Sequence, residues 1–161
     1  MRGFKFNTLT TRVAAVTLAT FLGACAMAQA EGPSWDPKKP VELSNSEITY
    51  KNVNEAIQMA DVWGDRATGA HGTFGKFPAN FDTPVHTHTF AYHGVVISGV
   101  MTNPFGDSIE TMEKNPPKLS AGSYWYVPAG AVHSTSCVSN TPCQFFFTSE
   151  GGFDFLPIAA K

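Results

Sequence analysis

The sequence is poor in charge, in cysteine and in long apolar runs. Only 15% of its 161 residues are charged, and only 3 are cysteines. Its main apolar stretch, residues 13–27, is shorter than the roughly 20 residues that a membrane-spanning helix needs. Basic residues form no cluster, which argues against nucleic acid and anionic lipid as partners. We therefore expect no membrane-spanning segment and no nucleic-acid-binding surface.

The first thirty residues predict a signal peptide that is not part of the folded domain. Arg2, Lys5 and Arg12 form a basic start, the apolar stretch follows, and Ala28-Gln29-Ala30 matches an A-x-A cleavage site. Cleavage there leaves eight basic and 13 acidic residues, a formal net charge of −5. We expect a periplasmic or secreted protein.

A second processing interpretation competes with simple cleavage. The segment Leu22-Gly23-Ala24-Cys25 is similar to a bacterial lipobox, in which the cysteine is lipidated and becomes the first residue of the mature chain. Cleavage before Glu31 is favoured, because the A-x-A site directly precedes a polar segment that contains proline. Lipid anchoring at Cys25 is the alternative.

Beyond the signal peptide, the only cysteines are Cys137 and Cys143. The residues between them, 138–142, favour a turn, and an exported protein meets oxidising conditions. We therefore expect a disulfide that links two neighbouring strands. Two free thiols, or two soft metal ligands, are the alternative.

The rest of the chain predicts one all-β domain. Residues 31–40, rich in proline, form a disordered lead-in, and residues 41–161 form the domain. Turn residues punctuate short apolar or alternating runs at strand-like spacing, with no βαβ alternation, so a closed barrel or sandwich is expected. Only residues 54–62 hint at a helix. The predicted strands are residues 48–53, 73–77, 92–101, 123–127, 132–136, 144–148 and 153–157.

Three histidines have the spacing of metal ligands. His86 and His88 are two residues apart, which on a strand sends both imidazoles to one face. His133 follows a predicted tight turn, Pro128-Ala129-Gly130, in which Gly130 is free to adopt a positive φ. Three histidines on one ion suit Zn, Fe, Mn, Ni or Cu and leave positions for water or substrate.

The residues around these histidines resemble the two signature motifs of the cupin superfamily. Residues 122–137 match G-x5-P-x-G-x2-H-x3-N, except that Cys137 stands in the asparagine position. Residues 80–99 are similar to G-x5-H-x-H-x3-4-E-x6-G, with Asn80 for the first glycine and Tyr92 for the glutamate. The resemblance implies a single-domain cupin-type β-barrel (double-stranded β-helix or jelly roll), of a small secreted subgroup known only as a domain of unknown function.

The replaced glutamate leaves the fourth ligand open. On an unbroken strand Tyr92 shares the face of His86 and His88, so we expect it to point inward and to serve as the candidate catalytic residue, as acid, base or hydrogen-bond donor. A β-bulge near Phe90 would instead turn His93 inward as a fourth metal ligand. Water is the third alternative.

Other chemistry-bearing side chains receive plainer interpretations. His71, in a predicted loop, is expected at the surface. Most of the aromatic residues are expected to fill the core, while Phe90, Tyr92 and one of Tyr124 and Tyr126 are predicted pocket walls.

Two functions from different classes follow. The first is an exported metal-dependent enzyme that acts on a small oxygenated molecule, in the manner of cupin dioxygenases and isomerases. The second is a non-catalytic periplasmic module that binds or senses a metal ion or a small ligand. In both the cofactor is a divalent metal ion and the partner is a small-molecule ligand. The resemblance further implies a homodimer.

Overall fold

The structure is a computed structural model that describes residues 35–159, and it consists of short antiparallel strands. The predicted signal peptide, its cleavage site and Cys25 lie outside the described residues. One short 3-10 helix, Ile109–Thr111, interrupts the strands. The strands are β1 (Lys51–Asn52), β2 (Gln58–Gly64), β3 (His71–Phe77), β4 (Phe81–Asp82), β5 (His86–Thr87), β6 (Tyr92–Ser98), β7 (Val100–Thr102), β8 (Phe105–Gly106), β9 (Leu119–Ser120), β10 (Tyr124–Val127), β11 (Val132–His133), β12 (Ser136–Cys137), β13 (Cys143–Ser149) and β14 (Leu156–Pro157).

The strands form three antiparallel sheets around one core, so the all-β prediction is confirmed. The largest sheet has six strands in the order β1-β2-β3-β13-β6-β10. The other two have four strands each, in the orders β14-β5-β11-β8 and β4-β12-β7-β9. Within residues 35–159, no helix is long and apolar enough to cross a membrane.

Strand β13 is central to the large sheet, between β3 and β6. Its sequence alternates strictly, with Cys143, Phe145, Phe147 and Ser149 buried and the residues between them half-buried. A period of two puts these four side chains on one face, where they meet the core. Burial of one such phenylalanine contributes roughly 1.5–3 kcal/mol to stability.

β7 pairs with β12, β8 pairs with β11, and the two pairs have the same register. Thr102 is opposite Ser136, and Phe105 is opposite His133, so the intervening residues also lie opposite one another. The backbone N–H of Ser134 donates to the carbonyl of Pro104 at 3.2 Å, which confirms the register across the gap. Side chains two apart on these strands therefore share one face.

Gly130 and Asn80 are two of the five described residues with positive φ. Gly130 has φ 72°, as predicted for the turn before His133, and its N–H donates to the carbonyl of His88 at 2.9 Å. Asn80 has φ 53°, which asparagine tolerates better than most residues, and it stands where the motif has glycine. The turn at Gly130 thus joins the segments that carry His88 and His133.

The hint of a helix over residues 54–62 is wrong. The side-chain oxygen of Asn54 accepts hydrogen bonds from the N–H groups of Ala56 at 2.9 Å and Ile57 at 2.7 Å, which makes a turn. The chain then enters β2, where Met59 and Ala60 are buried. Pairing with β3 outweighs the weak local helical preference.

The predicted disulfide is confirmed by the geometry. The sulfur atoms of Cys137 and Cys143 are 2.10 Å apart, and both residues are buried. The bond joins β12 of a four-stranded sheet to β13 of the six-stranded sheet, so it links two of the sheets covalently.

Removal of this disulfide should lower the free energy of unfolding by about 2 kcal/mol, because the unfolded chain is no longer closed into a short loop. Urea unfolding of the wild type with and without dithiothreitol measures the change. The double variant Cys137→Ala/Cys143→Ala is the control, since the reductant should not affect it. Equal stability of the oxidised and reduced wild type would contradict the prediction.

Candidate metal centre

Strand pairing brings two of the histidines together. His86 in β5 lies directly opposite His133 in β11, so the two side chains share one face of this antiparallel pair. His88 follows β5, and its carbonyl accepts the hydrogen bond from the turn that precedes β11. All three side chains are buried, with exposed fractions of 3%, 2% and 0% for His86, His88 and His133.

The three imidazoles converge on one point. One ring nitrogen from each of His86, His88 and His133 lies within 4.8 Å of the other two. The Nε2 atoms of His86 and His88 are 3.1 Å apart. This spacing allows one small cation to be approached by three nitrogen atoms, as in three-histidine metal sites.

Each imidazole is fixed by a backbone carbonyl on its far side. The Nδ1–H of His86 donates to the carbonyl of Pro84 at 2.7 Å, and that of His133 to the carbonyl of Ala131 at 3.0 Å. The Nδ1–H of His88 donates to the carbonyl of Asp154. A carbonyl can only accept, so the proton of each neutral ring is on Nδ1 and Nε2 carries a lone pair.

These three rings are neutral at physiological pH. Burial lowers the pKa of His86, His88 and His133 to about 4 in each case. The facing Nε2 atoms of His86 and His88 are then two acceptors with no proton between them. A cation would satisfy both, so the donor set fits a divalent metal ion.

Tyr92 points inward, as predicted, although the strand on which the prediction relied is broken. β5 ends at Thr87 and β6 begins at Tyr92. The Tyr92 side chain is 4% exposed, and its hydroxyl lies 3.1 Å from Nε2 of His133. Burial raises the pKa of this phenol, so it keeps its proton and donates to His133.

The structure does not bring His93 to this group. β6 pairs with β10 without interruption, Tyr92 opposite Val127 and His93 opposite Tyr126, so His93 lies on the outer face. Its Nδ1 is 2.5 Å from the hydroxyl of Tyr124. This corrects the alternative that a bulge near Phe90 turns His93 toward the other rings.

The predicted pocket walls are also corrected in part. Phe90, Tyr124 and Tyr126 are 48%, 58% and 45% exposed, and only Tyr92 of the four faces the interior. Alternation along β10 buries Trp125 and Val127 instead, because these side chains face the core. Because residues 124–126 are all aromatic, the sequence does not show which of them face the core.

The C-terminal segment contributes contacts that neither motif signals. The ring of Phe155 stacks on His86 with centroids 4.3 Å apart, and the ring of Phe153 stacks on His88 at 4.2 Å. Between them, the carboxylate of Asp154 accepts from the N–H of Thr89 at 2.8 Å and from its hydroxyl at 2.5 Å. The only sequence signal was the local pattern of an acid between two phenylalanines.

His71 is not at the surface, which corrects the prediction. It begins β3 and is fully buried, with its ring edge-on to Phe147 at 5.2 Å. Its Nδ1 is 2.8 Å from the hydroxyl of Thr73, which donates to Asp61 at 2.7 Å. Burial lowers the pKa of His71 to about 4. The residue is a packed core histidine, outside the three-histidine group.

A cavity of about 60 Å³ adjoins the histidines. Its polar lining is formed by Thr83, His86, His88, Tyr92 and Thr135. The remaining lining is apolar and mostly aromatic: Ile57, Met59, Phe77, Trp125, Phe145, Phe147, Phe153 and Phe155. A larger depression of about 570 Å³ lies on the outer side, where His93, Tyr126 and Glu150 line it. We place the candidate site at the smaller cavity, because His86, His88 and Tyr92 line it.

Comparison with known proteins supports the fold. Residues 37–161 match the protein family described as Domain of unknown function (DUF4437). No curated protein matches the sequence. The structure is similar to the polyketide cyclase RemF from Streptomyces resistomycificus, with a TM-score of 0.62 and 15% identity over 76% of this chain and 88% of that chain.

Two further solved structures show the same architecture. An RmlC-like cupin from Shewanella frigidimarina NCIMB 400 has a TM-score of 0.55 and 13% identity, over 71% of this chain and 93% of that chain. KdgF from Halomonas sp. has a TM-score of 0.53 and 18% identity, over 66% of this chain and 92% of that chain. Identities this low show the fold alone, and they confirm the predicted cupin-type barrel.

The metal-free protein should lose stability as the pH falls from about 6.5 to about 4. The pKa of His71, His86, His88 and His133 is about 4 in the folded chain, against about 6.5 in an unfolded one. Between these values the unfolded chain binds more protons, so stability rises with pH and is complete above about pH 7.

Urea midpoints measured with a chelator at pH 7.5, 6 and 5 test this dependence. The variant His93→Gln alters an exposed ring on the outer face and should follow the wild-type curve. A midpoint that does not change with pH would show that the four rings are not buried in the neutral form.

Proposed function

The chain belongs to the family described as Domain of unknown function (DUF4437) and has a cupin fold, and from this premise we propose that it binds a divalent metal ion through His86, His88 and His133 and acts on a small oxygenated molecule there. The observation that carries the proposal is the convergence of three neutral imidazoles within 4.8 Å. Each ring is held by its own backbone carbonyl. Without an ion, the lone pairs on Nε2 of His86 and Nε2 of His88 face each other with no proton between them.

A divalent ion held by His86, His88 and His133 would supply Lewis acidity toward an oxygen atom of the ligand. The chain's own residues orient and shield it. The rings of Phe153 and Phe155 cover two of the histidines and limit access of water. The bonds between Asp154 and Thr89 hold this covering segment against the loop that follows His88.

Tyr92 is the residue that we propose to act on the bound molecule. Because its pKa is raised by burial, the phenol retains its proton and is a donor, not a base, in the resting site. Its hydroxyl is 3.1 Å from Nε2 of His133, so it lies beside the proposed ion. A hydrogen bond or proton from Tyr92 would thus reach an oxygen atom of the ligand.

A non-catalytic binding or sensing role is the second candidate. The cavity beside the histidines measures only about 60 Å³, and Phe153 and Phe155 stack directly on two of the rings. Such a closed site favours retention of the ion over exchange of large substrates. In this role the closed segment would hold the ion, and the Tyr92 hydroxyl would bond to Nε2 of His133 only in the metal-free site, because that nitrogen has a single lone pair.

We further propose that the protein is exported and that it forms a homodimer. A signal peptide over residues 1–30 and export to the periplasm or beyond agree with the disulfide between Cys137 and Cys143, because disulfides persist in oxidising compartments. The exported domain would cover residues 41–161. Exposed apolar side chains on the outer face, Val95, Ile97 and Tyr124, support a homodimer.

Replacement of any one of the three histidines by alanine should abolish stoichiometric metal binding, because the remaining two imidazoles make a weak site. The protein is purified, loaded with zinc, freed of excess ion and submitted to elemental analysis. His93→Ala is the matched control and should retain the wild-type content. Full metal content in His86→Ala, His88→Ala or His133→Ala would refute the site.

Tyr92→Phe separates the enzyme from the binding module. This change removes only the hydroxyl, so metal content should be retained. If the protein is an enzyme, turnover of small oxyacids, sugars or diketones, or consumption of oxygen, should fall by about 100-fold or more. A wild-type protein that is fully loaded and turns over none of these compounds would favour the binding role.

A further inference from the structure

His88 differs from the other two histidines in how its ring is held. His86 and His133 each donate from Nδ1 to the carbonyl two residues earlier in the chain, at 2.7 Å and 3.0 Å. His88 donates instead to the carbonyl of Asp154, which lies 66 residues further along the chain. The rings of His86 and His133 are therefore fixed locally, whereas the ring of His88 depends on the C-terminal segment.

The side chain of Asp154 reinforces this long-range contact. Its carboxylate accepts from the N–H of Thr89 at 2.8 Å and from the hydroxyl of Thr89 at 2.5 Å. Hydrogen bonds to an ionised acceptor are stronger than neutral ones. Phe153, the neighbour of Asp154, stacks on His88 with ring centroids 4.2 Å apart. A backbone acceptor, a stacked ring and a tether to the next residue thus all reach His88 from residues 153 and 154.

The segment that carries these contacts also closes the cavity. Phe153 and Phe155 line the cavity of about 60 Å³, and Phe155 is 45% exposed, so this segment lies between the cavity and the solvent. One end is held by the N–H of Phe153, which donates to the carbonyl of Arg66 at 2.8 Å, and the other by the pairing of β14 with β5. Displacement of the residues between these ends would open the cavity and take away the partner of His88 in one movement.

Building on the proposed metal site, we infer that Asp154 is a positioning residue of that site: it holds the ring of His88 as the third ligand, and docking of residues 153–157 controls how tightly the ion is bound. Two imidazoles alone make a weak site, so a loosely held His88 lowers the affinity for the ion. Groups that bond the far nitrogen of a metal-ligating histidine typically affect affinity by roughly 10–100-fold. Because such coupling is reciprocal, a bound ion stabilises the docked segment in turn.

The first test measures zinc affinity by competition with a chromophoric chelator. Asp154→Ala should lose about tenfold or more in affinity, because its backbone carbonyl is no longer tethered beside His88. Asp154→Asn, which keeps an oxygen acceptor for the N–H of Thr89, should lose less. Thr89→Val removes only the hydroxyl bond and is a milder variant, with a smaller loss expected. Wild-type affinity in both Asp154→Ala and Thr89→Val would overturn the inference.

Glu150 provides the matched control. It is an exposed acid that precedes the same segment and lines the depression on the outer side. Glu150→Ala removes one carboxylate, as Asp154→Ala does, but leaves the bonds between Asp154 and Thr89 intact. It should therefore keep the wild-type zinc affinity. A loss as large as that of Asp154→Ala would show that the effect comes from net charge, which contradicts a positioning role.

The second test separates positioning from a merely structural role. Each variant is saturated with cobalt(II), whose visible spectrum reports the groups bound to the ion. The spectrum of Asp154→Ala should differ from that of the wild type, and the spectrum of Glu150→Ala should superimpose on it. A lower melting temperature of Asp154→Ala in chelator, together with an unchanged spectrum and unchanged zinc affinity, would show that Asp154 only stabilises the fold.

Amide hydrogen exchange tests the reciprocal effect. The N–H of Phe153 reports docking of the segment, because it is bonded to the carbonyl of Arg66. Zinc should slow its exchange in the wild type, and should slow it less in Asp154→Ala. Exchange at Phe153 that is the same with and without zinc in the wild type would show that the segment is not coupled to the ion.

The outcomes separate the two proposals. If the wild type takes up neither zinc nor cobalt(II), the proposed metal site fails, and the positioning role of Asp154 fails with it. If the wild type binds the ion and Asp154→Ala binds it equally tightly with the same cobalt(II) spectrum, the metal site stands and only the inference about Asp154 is wrong.

Discussion

The antiparallel pairing of His86 with His133 is the contact on which the candidate site depends. It places the rings of His86 and His133 side by side on one face. The carbonyl of Pro84 fixes the tautomer of His86, and the carbonyl of Ala131 fixes the tautomer of His133. The site is therefore determined mainly by backbone geometry. Side chains from β6 and the C-terminal segment complete it, and they do so by packing on rings that are already oriented.

The motifs predicted the backbone part of this arrangement well. Spacing alone placed His86 and His88 on one face, and Gly130 with its positive φ delivered His133 to the same point. Tyr92 was also placed inward, although the strand between it and His88 is interrupted. A local pattern identifies such residues because strand parity and turn chemistry are local properties.

Long-range packing was not predictable in the same way. The stacking of Phe153 and Phe155 on the histidines requires the C-terminal segment to return across β5, which no local pattern encodes. His71 was misplaced for a similar reason: its burial comes from the pairing of β3 with β13 and from the packing of Phe147. In the two smaller sheets, β4, β8 and β9 were not predicted, because two-residue strands have no periodicity, whereas β11 and β14 lie within predicted strands.

Buried histidines in the interior bond through one ring nitrogen and differ in what the other nitrogen meets: Nε2 of His71 has no hydrogen-bond partner among the described residues. Thr73 and His71 are tied into a chain of hydrogen bonds that ends at Asp61 and Arg66, so they fix the large sheet. In the three-histidine group, Nδ1 of each ring is bonded to a backbone carbonyl and Nε2 of His133 accepts from Tyr92, but the Nε2 atoms of His86 and His88 face each other with no proton between them. Such half-satisfied groups reduce stability unless a ligand completes them, which is the usual compromise at functional sites.

The hydrogen bond from the N–H of Gly130 to the carbonyl of His88 has a consequence for how this family can vary in length. A turn that merely connects two strands tolerates insertion, but this one also ties the loop after β5 to the start of β11. One added residue between Pro128 and His133 would break that tie and reverse the face on which the imidazole of His133 lies. Insertions should therefore be excluded from this turn. They should be tolerated in the connection after β8, which is distant in sequence from both His88 and Gly130.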